Sequence, residues 1–385
     1  MRNSILEFEQ CTGCGACQNI CPTKAVHLQM NSEGFLYPVI IQEKCVSCGK
    51  CDRICKSIRE IQGGRIRDSY RGFSNNVEVR KTSTSGGIFS ELARVVLKEE
   101  GVVFGAALND DFTVAHKAVT AYNELSQLRG SKYVGSYVGD SYLQVVKCLR
   151  LGKRVLFSGT PCQIAALKKY IEALHNVDAS NLITCDFICH GVGSQLFLEK
   201  FVRAEEKKRN SERKTLCFRS KVRGYKNTSL VLTFKDNKKV VYPSYKNSFG
   251  YPFSVGLINR SSCSHCCFAK TERVADITLA DCIYDLNMKE KKYGCSLILV
   301  NSKEGDALLK KADVAIFSEP IEGILLHQPH LMRPQKENKK RKELMEYKDG
   351  DYDFIAKAYL TPPKTSIIKR MIGRIKHASR KKNKC

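Results

Sequence analysis

The 385-residue sequence predicts a small α+β module built around cysteines, fused to a larger α/β domain and followed by a basic helical tail. Three observations lead there: two cysteine runs of identical spacing in the first sixty residues, strand-like segments alternating with helix-like ones after residue 73, and an apolar stripe among unopposed positive charges after Thr361. With 43% hydrophobic and 27% charged residues, the chain is neither disordered nor fibrous and can bury more than one core. Its 19 cysteines are too regularly spaced for a secreted disulfide scaffold. No stretch approaches the roughly 18 apolar residues of a membrane span, and MRNSILEFEQ lacks a signal-peptide core, so a cytoplasmic protein is expected.

The first run is Cys11, Cys14, Cys17 and Cys21, followed by Pro22; the second is Cys45, Cys48, Cys51 and Cys55, followed by Lys56. Both read C-x2-C-x2-C-x3-C, the spacing of two-cluster bacterial ferredoxins, in which the fourth cysteine of each run ligates the other cluster. The expected sets are therefore Cys11, Cys14, Cys17 and Cys55 around one [4Fe-4S] cluster, and Cys45, Cys48, Cys51 and Cys21 around its twin. Gly13, Gly15 and Gly49 allow loop amides to turn toward the sulfurs. Between the runs, AVHLQMNSEGFLYPVI alternates apolar and polar residues around Asn31 to Gly34 and predicts a β-hairpin. Paired zinc sites are the alternative, but zinc takes four ligands in two pairs and gives no reason for a repeated four-plus-four pattern.

After the basic stretch GGRIRDSYRG, the segment Lys81-Thr-Ser-Thr-Ser-Gly-Gly87 precedes a helical run from Ile88 to Glu100. Ser83, Ser85, Gly86 and Gly87 thus gather at a helix N-terminus, suited to a flavin or nucleotide phosphate, though a Ser-capped helix reads the same way. VLFSGTPCQIAALKKYI predicts a strand from Val155 to Ser158, a turn, and a helix opened by Pro161, which places Cys162 where a thiol pKa is lowered. A second strand, NLITCDFICHGVGS, carries Cys185, Cys189 and His190. A third group, Cys263, His265, Cys266 and Cys267, precedes VADITLADC, which ends in Asp281 and Cys282. Together these segments hold enough thiols for a third [4Fe-4S] site on Cys162, Cys189, Cys263 and Cys266; spacing alone does not choose among Cys185, Cys189, Cys267 and Cys282. Cys148 and Cys217 read as buried free thiols in a helix and a strand.

The ordered motifs STSGG (83–87), RGSKYVGS (129–136), LFSGTPCQIAAL (156–167), CHGVGS (189–194), FRSKVRGY (218–225) and RSSCSHCCFA through DITLADC resemble the coenzyme F420 hydrogenase/dehydrogenase beta-subunit family over roughly residues 73–300. The resemblance implies an α+β ferredoxin-like 2[4Fe-4S] domain joined to an α/β flavin-binding domain that binds FAD and carries its own cluster. It also supports Cys162, Cys189, Cys263 and Cys266 as ligands. Electrons would pass between clusters and a hydride substrate, either a deazaflavin of the coenzyme F420 type or a substrate of polysaccharide biosynthesis, since bacterial members with this fusion are similar to proteins found with polysaccharide-modifying enzymes. A flavin reconciles one-electron clusters with a two-electron hydride. Ser83, Ser85, Gly86 and Gly87 are expected at the FAD phosphates, Lys132 and Tyr133 near the flavin or substrate, and Lys221 and Arg223 on an anionic substrate. This chain departs from the family in reading Ala280-Asp281-Cys282 after DIT and in lacking tryptophan.

The expected division is 1–60 ferredoxin-type domain, 61–72 linker, 73–330 FAD/[4Fe-4S] domain and 331–385 basic helical tail, with low order across KENKKRKELMEYKDGDYD. The formal charge of +25 lies partly in nine basic residues after Thr361, where Ile368, Met371, Ile372 and Ile375 form one stripe. That tail suits an anionic membrane surface, which would make the protein peripheral at the inner face, or a docking site on a protein. Without a groove-reading motif, nucleic acid is not expected as a partner; a redox protein or a hydride-donating small molecule is. The rival reading is a non-enzymatic electron-transfer subunit serving a partner enzyme.

Overall fold

The computed structural model describes residues 8–363. The N-terminal module is a two-stranded antiparallel hairpin, β1 (Val26–Met30) and β2 (Leu36–Ile40), paired from Val26 with Ile40 to Met30 with Leu36. The Asn31 side chain closes its turn by accepting from the amides of Glu33 and Phe35. Two helices, Ala16–Ile20 and Lys50–Arg59, flank the hairpin. The second runs past Cys55 because Lys56, unlike proline, continues the helical ladder. Ala16, Ile54 and Ile58 are buried in one core with Ile164, Leu167 and Ile171 of the helix Pro161–Glu172, so the module is packed onto the larger domain.

That domain is built on a nine-stranded mixed sheet. Its strands are β3 (Asp68–Ser74), β4 (Val102–Leu108), β5 (Val114–Val119), β6 (Ser136–Tyr137), β7 (Val155–Ser158), β8 (Leu182–Phe187), β12 (Ile277–Asp281), β13 (Ser296–Val300) and β14 (Val314–Ser318); β9 (Arg213–Ser220), β10 (Ser229–Phe234) and β11 (Lys239–Pro243) form a separate antiparallel sheet. The order in the large sheet is β14-β3-β13-β12-β8-β7-β4-β5-β6, with β12, β8, β7 and β4 parallel at the centre. Strand side chains alternate faces: Val155 and Phe157 enter the core with Ile164 and Tyr142, whereas Leu156 enters the opposite core with Leu92 and Ile183.

Two stretches differ from expectation. Residues 68–72, read as linker, form most of β3 and hydrogen-bond between β13 and β14, while Gly64 and Arg273 exchange backbone hydrogen bonds. The charged stretch after residue 331 is packed rather than loose as far as Leu360. Leu344, Met345, Ile355 and Leu360 are buried with Phe197, Phe201 and the small sheet, because its few apolar residues are enough to pin short helices to that core. The proposed amphipathic tail lies outside the described residues. Among the described residues no helix is long and apolar enough to cross a membrane.

Candidate iron-sulfur relay and cofactor cavity

The two ferredoxin runs are interleaved in space. Burial raises the Cys17 thiol well above its ordinary range, and the neighbouring Cys14, Cys11 and Cys55 push it further. Burial likewise pushes Cys55 up to about 12, helped by Cys14 and Cys11. The fourth cysteine of the second run therefore lies among the first three of the first run. Cys21, conversely, is an electrostatic neighbour of Cys51. The Ala25 amide donates to the Cys21 sulfur at 3.2 Å. Cys11, Cys14 and Cys17 are buried, whereas Cys45 and Cys48 are exposed.

A second gathering forms at the carboxyl ends of the central strands, where open α/β sheets place their ligands. Parallel neighbours β7 and β8 deliver Cys162 and Cys189 side by side, and the loop 261–267 brings Cys263 and Cys266 to them. Burial raises Cys162 strongly, and Cys266, Cys14 and Cys189 raise it further. Burial also raises Cys189, with Cys263 and Cys266 adding to it. The Gly191 amide donates to the Cys189 sulfur at 3.4 Å, and the Thr160 hydroxyl lies 3.0 Å from that of Cys162. Of the four candidates left open by spacing, Cys189 joins the group and the others go elsewhere: Cys185 is buried within β8, Cys267 is exposed, and Cys282 is hydrogen-bonded to Cys295 beside the β12–β13 ladder. Cys148 is half-buried in its helix; Cys217 is in a strand as expected but exposed rather than buried.

Thiols crowded out of water disfavour ionisation unless a cation is among them, since each thiolate repels the others and all lose hydration. The iron of a cluster would supply that charge. Among the described residues no group of three or more His, Cys, Asp or Glu could hold a single metal ion. The thiol groups fit a polynuclear cluster, with amides and hydroxyls aimed at sulfur in the manner that tunes such clusters.

Cys162 and Cys189 also line a cavity of about 1010 Å³. This is at the upper end of the usual range for a ligand site. Its walls come from both domains: Thr12, Gly13 and Phe35 on one side, the loop before the helix Ile88–Lys98 and the stretch 128–136 on another. The Ser83 hydroxyl is buried there without a hydrogen-bond partner, as is Nδ1 of His330, whose ring lies 4.4 Å from that of His190. An Arg219–Asp281 ion pair also faces the cavity. An unsatisfied hydroxyl beside a helix N-terminus suits a phosphate, and the volume of the cavity suits a dinucleotide flavin.

Not every expected cofactor or substrate contact is free to make one. Gly86 is absent from the cavity wall; a Cβ there would sit 2.5 Å from the Gly72 carbonyl, so this glycine permits packing against β3 and β13. The Ser85 hydroxyl donates to the Cys295 carbonyl at 2.5 Å. Lys132 lines the cavity, but its ammonium caps the carbonyls of Gln127, Leu128 and Arg129, and burial lowers its pKa to about 7. Tyr133 also lines it, stacked on Phe253 with its hydroxyl on Tyr245. Lys221 is no substrate clamp: its ammonium donates to the carbonyls of Arg80, Ser85 and Tyr293, tying down the loop instead. Arg223 is exposed outside the cavity wall. Arg219, Asp281 and Arg260, inside motifs noted above, and His330, outside them, all face the cavity; none was assigned a role because each faces it through partners distant in sequence.

The fold and cysteine groups define an iron-sulfur protein of the electron-transferring kind, with a ferredoxin-type module set against a mixed α/β domain. Residues 152–322 match the family described as the C-terminal part of the coenzyme F420 hydrogenase/dehydrogenase beta subunit, and residues 10–57 match a 4Fe-4S dicluster domain. Over these two stretches the chain is similar to an iron-sulfur, electron-transferring protein of that family type preceded by a dicluster domain. In fold it is similar to a chain of the F420-reducing [NiFe] hydrogenase complex from Methanosarcina barkeri, at 17% identity and a TM-score of 0.50, covering 75% of this chain and 95% of that one. No curated protein matches.

Proposed function

We propose that this chain is a flavoprotein oxidoreductase in which three [4Fe-4S] clusters exchange electrons with FAD, which in turn exchanges hydride with a substrate of the deazaflavin type. The ligands are Cys11, Cys14, Cys17 and Cys55; Cys45, Cys48, Cys51 and Cys21; and Cys162, Cys189, Cys263 and Cys266. The observation that carries this reading is that Cys162 and Cys189 belong both to a half-buried four-thiol group and to the wall of the large cavity. FAD bound there supplies the interchange between one-electron and two-electron transfer. The chain's own residues do the rest. The Ser83 hydroxyl and the N-terminal amides of the helix Ile88–Lys98 bind phosphate, with Lys221 holding their loop in place. Tyr133 and Phe253 present an aromatic wall, and the Arg219–Asp281 pair and His330 offer polar contacts for a substrate's ring substituents. The mainly apolar walls lower the water content around the site of transfer.

The test is anaerobic mixing of the purified chain with a reduced deazaflavin. Bleaching of bound flavin followed by bleaching of cluster absorbance supports the assignment. A flavin-free chain whose clusters respond only to a protein donor supports the electron-carrier reading instead.

A further inference from the structure

One buried cation links the two iron-binding regions, and neither cysteine pattern accounts for it. Arg260 is 3% exposed. Its Nε donates to the Cys11 carbonyl at 2.6 Å and its Nη2 to the Leu36 carbonyl at 2.9 Å, while the guanidinium carbon lies 4.1 Å from the Tyr37 ring centre. Its main chain serves the other region: the Arg260 amide donates to Val192, just beyond Cys189, and its carbonyl accepts from the Cys263 amide. Among the described residues no carboxylate forms an ion pair with it. The positive charge is thus held, without a carboxylate to neutralise it, between the main chain of Cys11 and the segment that carries Cys263.

Tyr142, fully buried, makes a second link. Its hydroxyl is 2.7 Å from the Cys14 carbonyl and 3.1 Å from the Gln163 carbonyl, the residue after Cys162. Both links reach the first ferredoxin group. Cys45 and Cys48 stand in solvent instead.

Resting on the cluster reading above, we infer that the Cys11, Cys14, Cys17 and Cys55 cluster is the inner one, exchanging electrons directly with the α/β-domain cluster, and that Arg260 is a positioning residue that holds the pair together and raises the inner cluster's potential. The sign follows from charge. Reduction adds an electron to an already negative cluster, and a buried guanidinium stabilises the more negative state. The Cys45 to Cys51 cluster is then the outer terminal, exposed to whatever protein supplies or removes single electrons.

The test uses the full chain purified anaerobically, with iron and sulfide counted first and potentials read by EPR-monitored titration. Arg260→Gln is expected to lower the inner cluster's reduced-to-oxidised ratio at a fixed potential roughly tenfold, about 59 mV for one electron, leaving the outer cluster unmoved; Arg260→Lys restores most of it. In fully reduced wild-type protein the domain cluster's signal is expected to show spin coupling, and the coupling is expected to survive Cys45→Ala/Cys48→Ala, which removes only the outer cluster. An iron-loaded Arg260→Gln protein with an unshifted potential overturns the role of Arg260. Coupling that vanishes with the outer cluster overturns the order, and this second measurement decides even if Arg260→Gln fails to load. A wild-type chain lacking the domain cluster is a different failure, that of the cluster reading itself.

Discussion

Replacing Asp186 with leucine should unfasten the α/β-domain cluster without touching a cysteine. Asp186 is the penultimate residue of β8, three residues before Cys189, and is 1% exposed. One carboxylate oxygen accepts from Arg273 at 2.7 Å and the other from the Thr278 hydroxyl at 2.5 Å. Arg273 in turn donates to the carbonyls of Phe268 and Lys270, just past Cys266 and Cys267. The pair therefore joins the segments that bring three of the four thiols. Burial opposes the Asp186 carboxylate, and Arg273 and Thr278 hold it. Removing one partner of a buried pair leaves the other charge uncompensated, at a cost of about 3–5 kcal/mol. For a domain of this size that is a fall in Tm of roughly 5–10 °C. Thermal unfolding under argon, with iron counted before and after desalting, reads both effects: the expected result is a lower Tm and selective loss of about one cluster's iron. A variant within about 1 °C of wild type and fully loaded would refute the claim that this pair supports the site.

Other expectations follow from single contacts. Burial holds His116 down to about 4, against 6.5 when free, so it is neutral in the fold and its contribution is complete above pH 6.5. As pH falls from 6.5 toward 4 the unfolded state binds the extra proton and stability drops by about 3 kcal/mol, which should appear as a Tm decline that His116→Gln flattens. At Gly34, a Cβ would stand 2.4 Å from the Leu196 amide nitrogen with φ at +83°, so Gly34→Ala should lift the ferredoxin hairpin off the helix Gln195–Arg209, cost about 1–3 kcal/mol, and raise the rate of limited proteolysis between the domains. Cys162→Ala should lower iron by about one cluster per chain and leave the ferredoxin EPR signals in place. Lys221→Met removes the ammonium that ties the Ser85 carbonyl to those of Arg80 and Tyr293 and should weaken flavin retention on gel filtration while cluster content is unchanged.

The legible parts of the fold were those with a local cause. The β1–β2 hairpin follows from alternation about an Asn-containing turn, and the strand Val155–Ser158 with its helix at Pro161 follows from an apolar run ending at a proline suited to the first turn. β3 was hidden because RIRDSYRGFS is polar, and its place in the sheet comes from partners more than 200 residues away. The helices near 341–355 were hidden because four buried apolar residues are scattered through a charged stretch, where composition outweighs position. At the site, spacing could gather the ferredoxin cysteines but could not tell Cys189 from Cys185. The difference is that one lies just beyond the carboxyl end of β8 and the other within it. Lys221 read as a free cation because sequence does not show where three carbonyls converge.

The central claim is that cysteines from both domains hold iron in a line ending at a flavin. Chemical analysis of the anaerobically purified full chain for iron, acid-labile sulfide and flavin tests it most directly. The account predicts about twelve irons, as many sulfides and one FAD per chain. About eight irons and no flavin would leave a dicluster ferredoxin module joined to a domain without redox cofactors, and would contradict it.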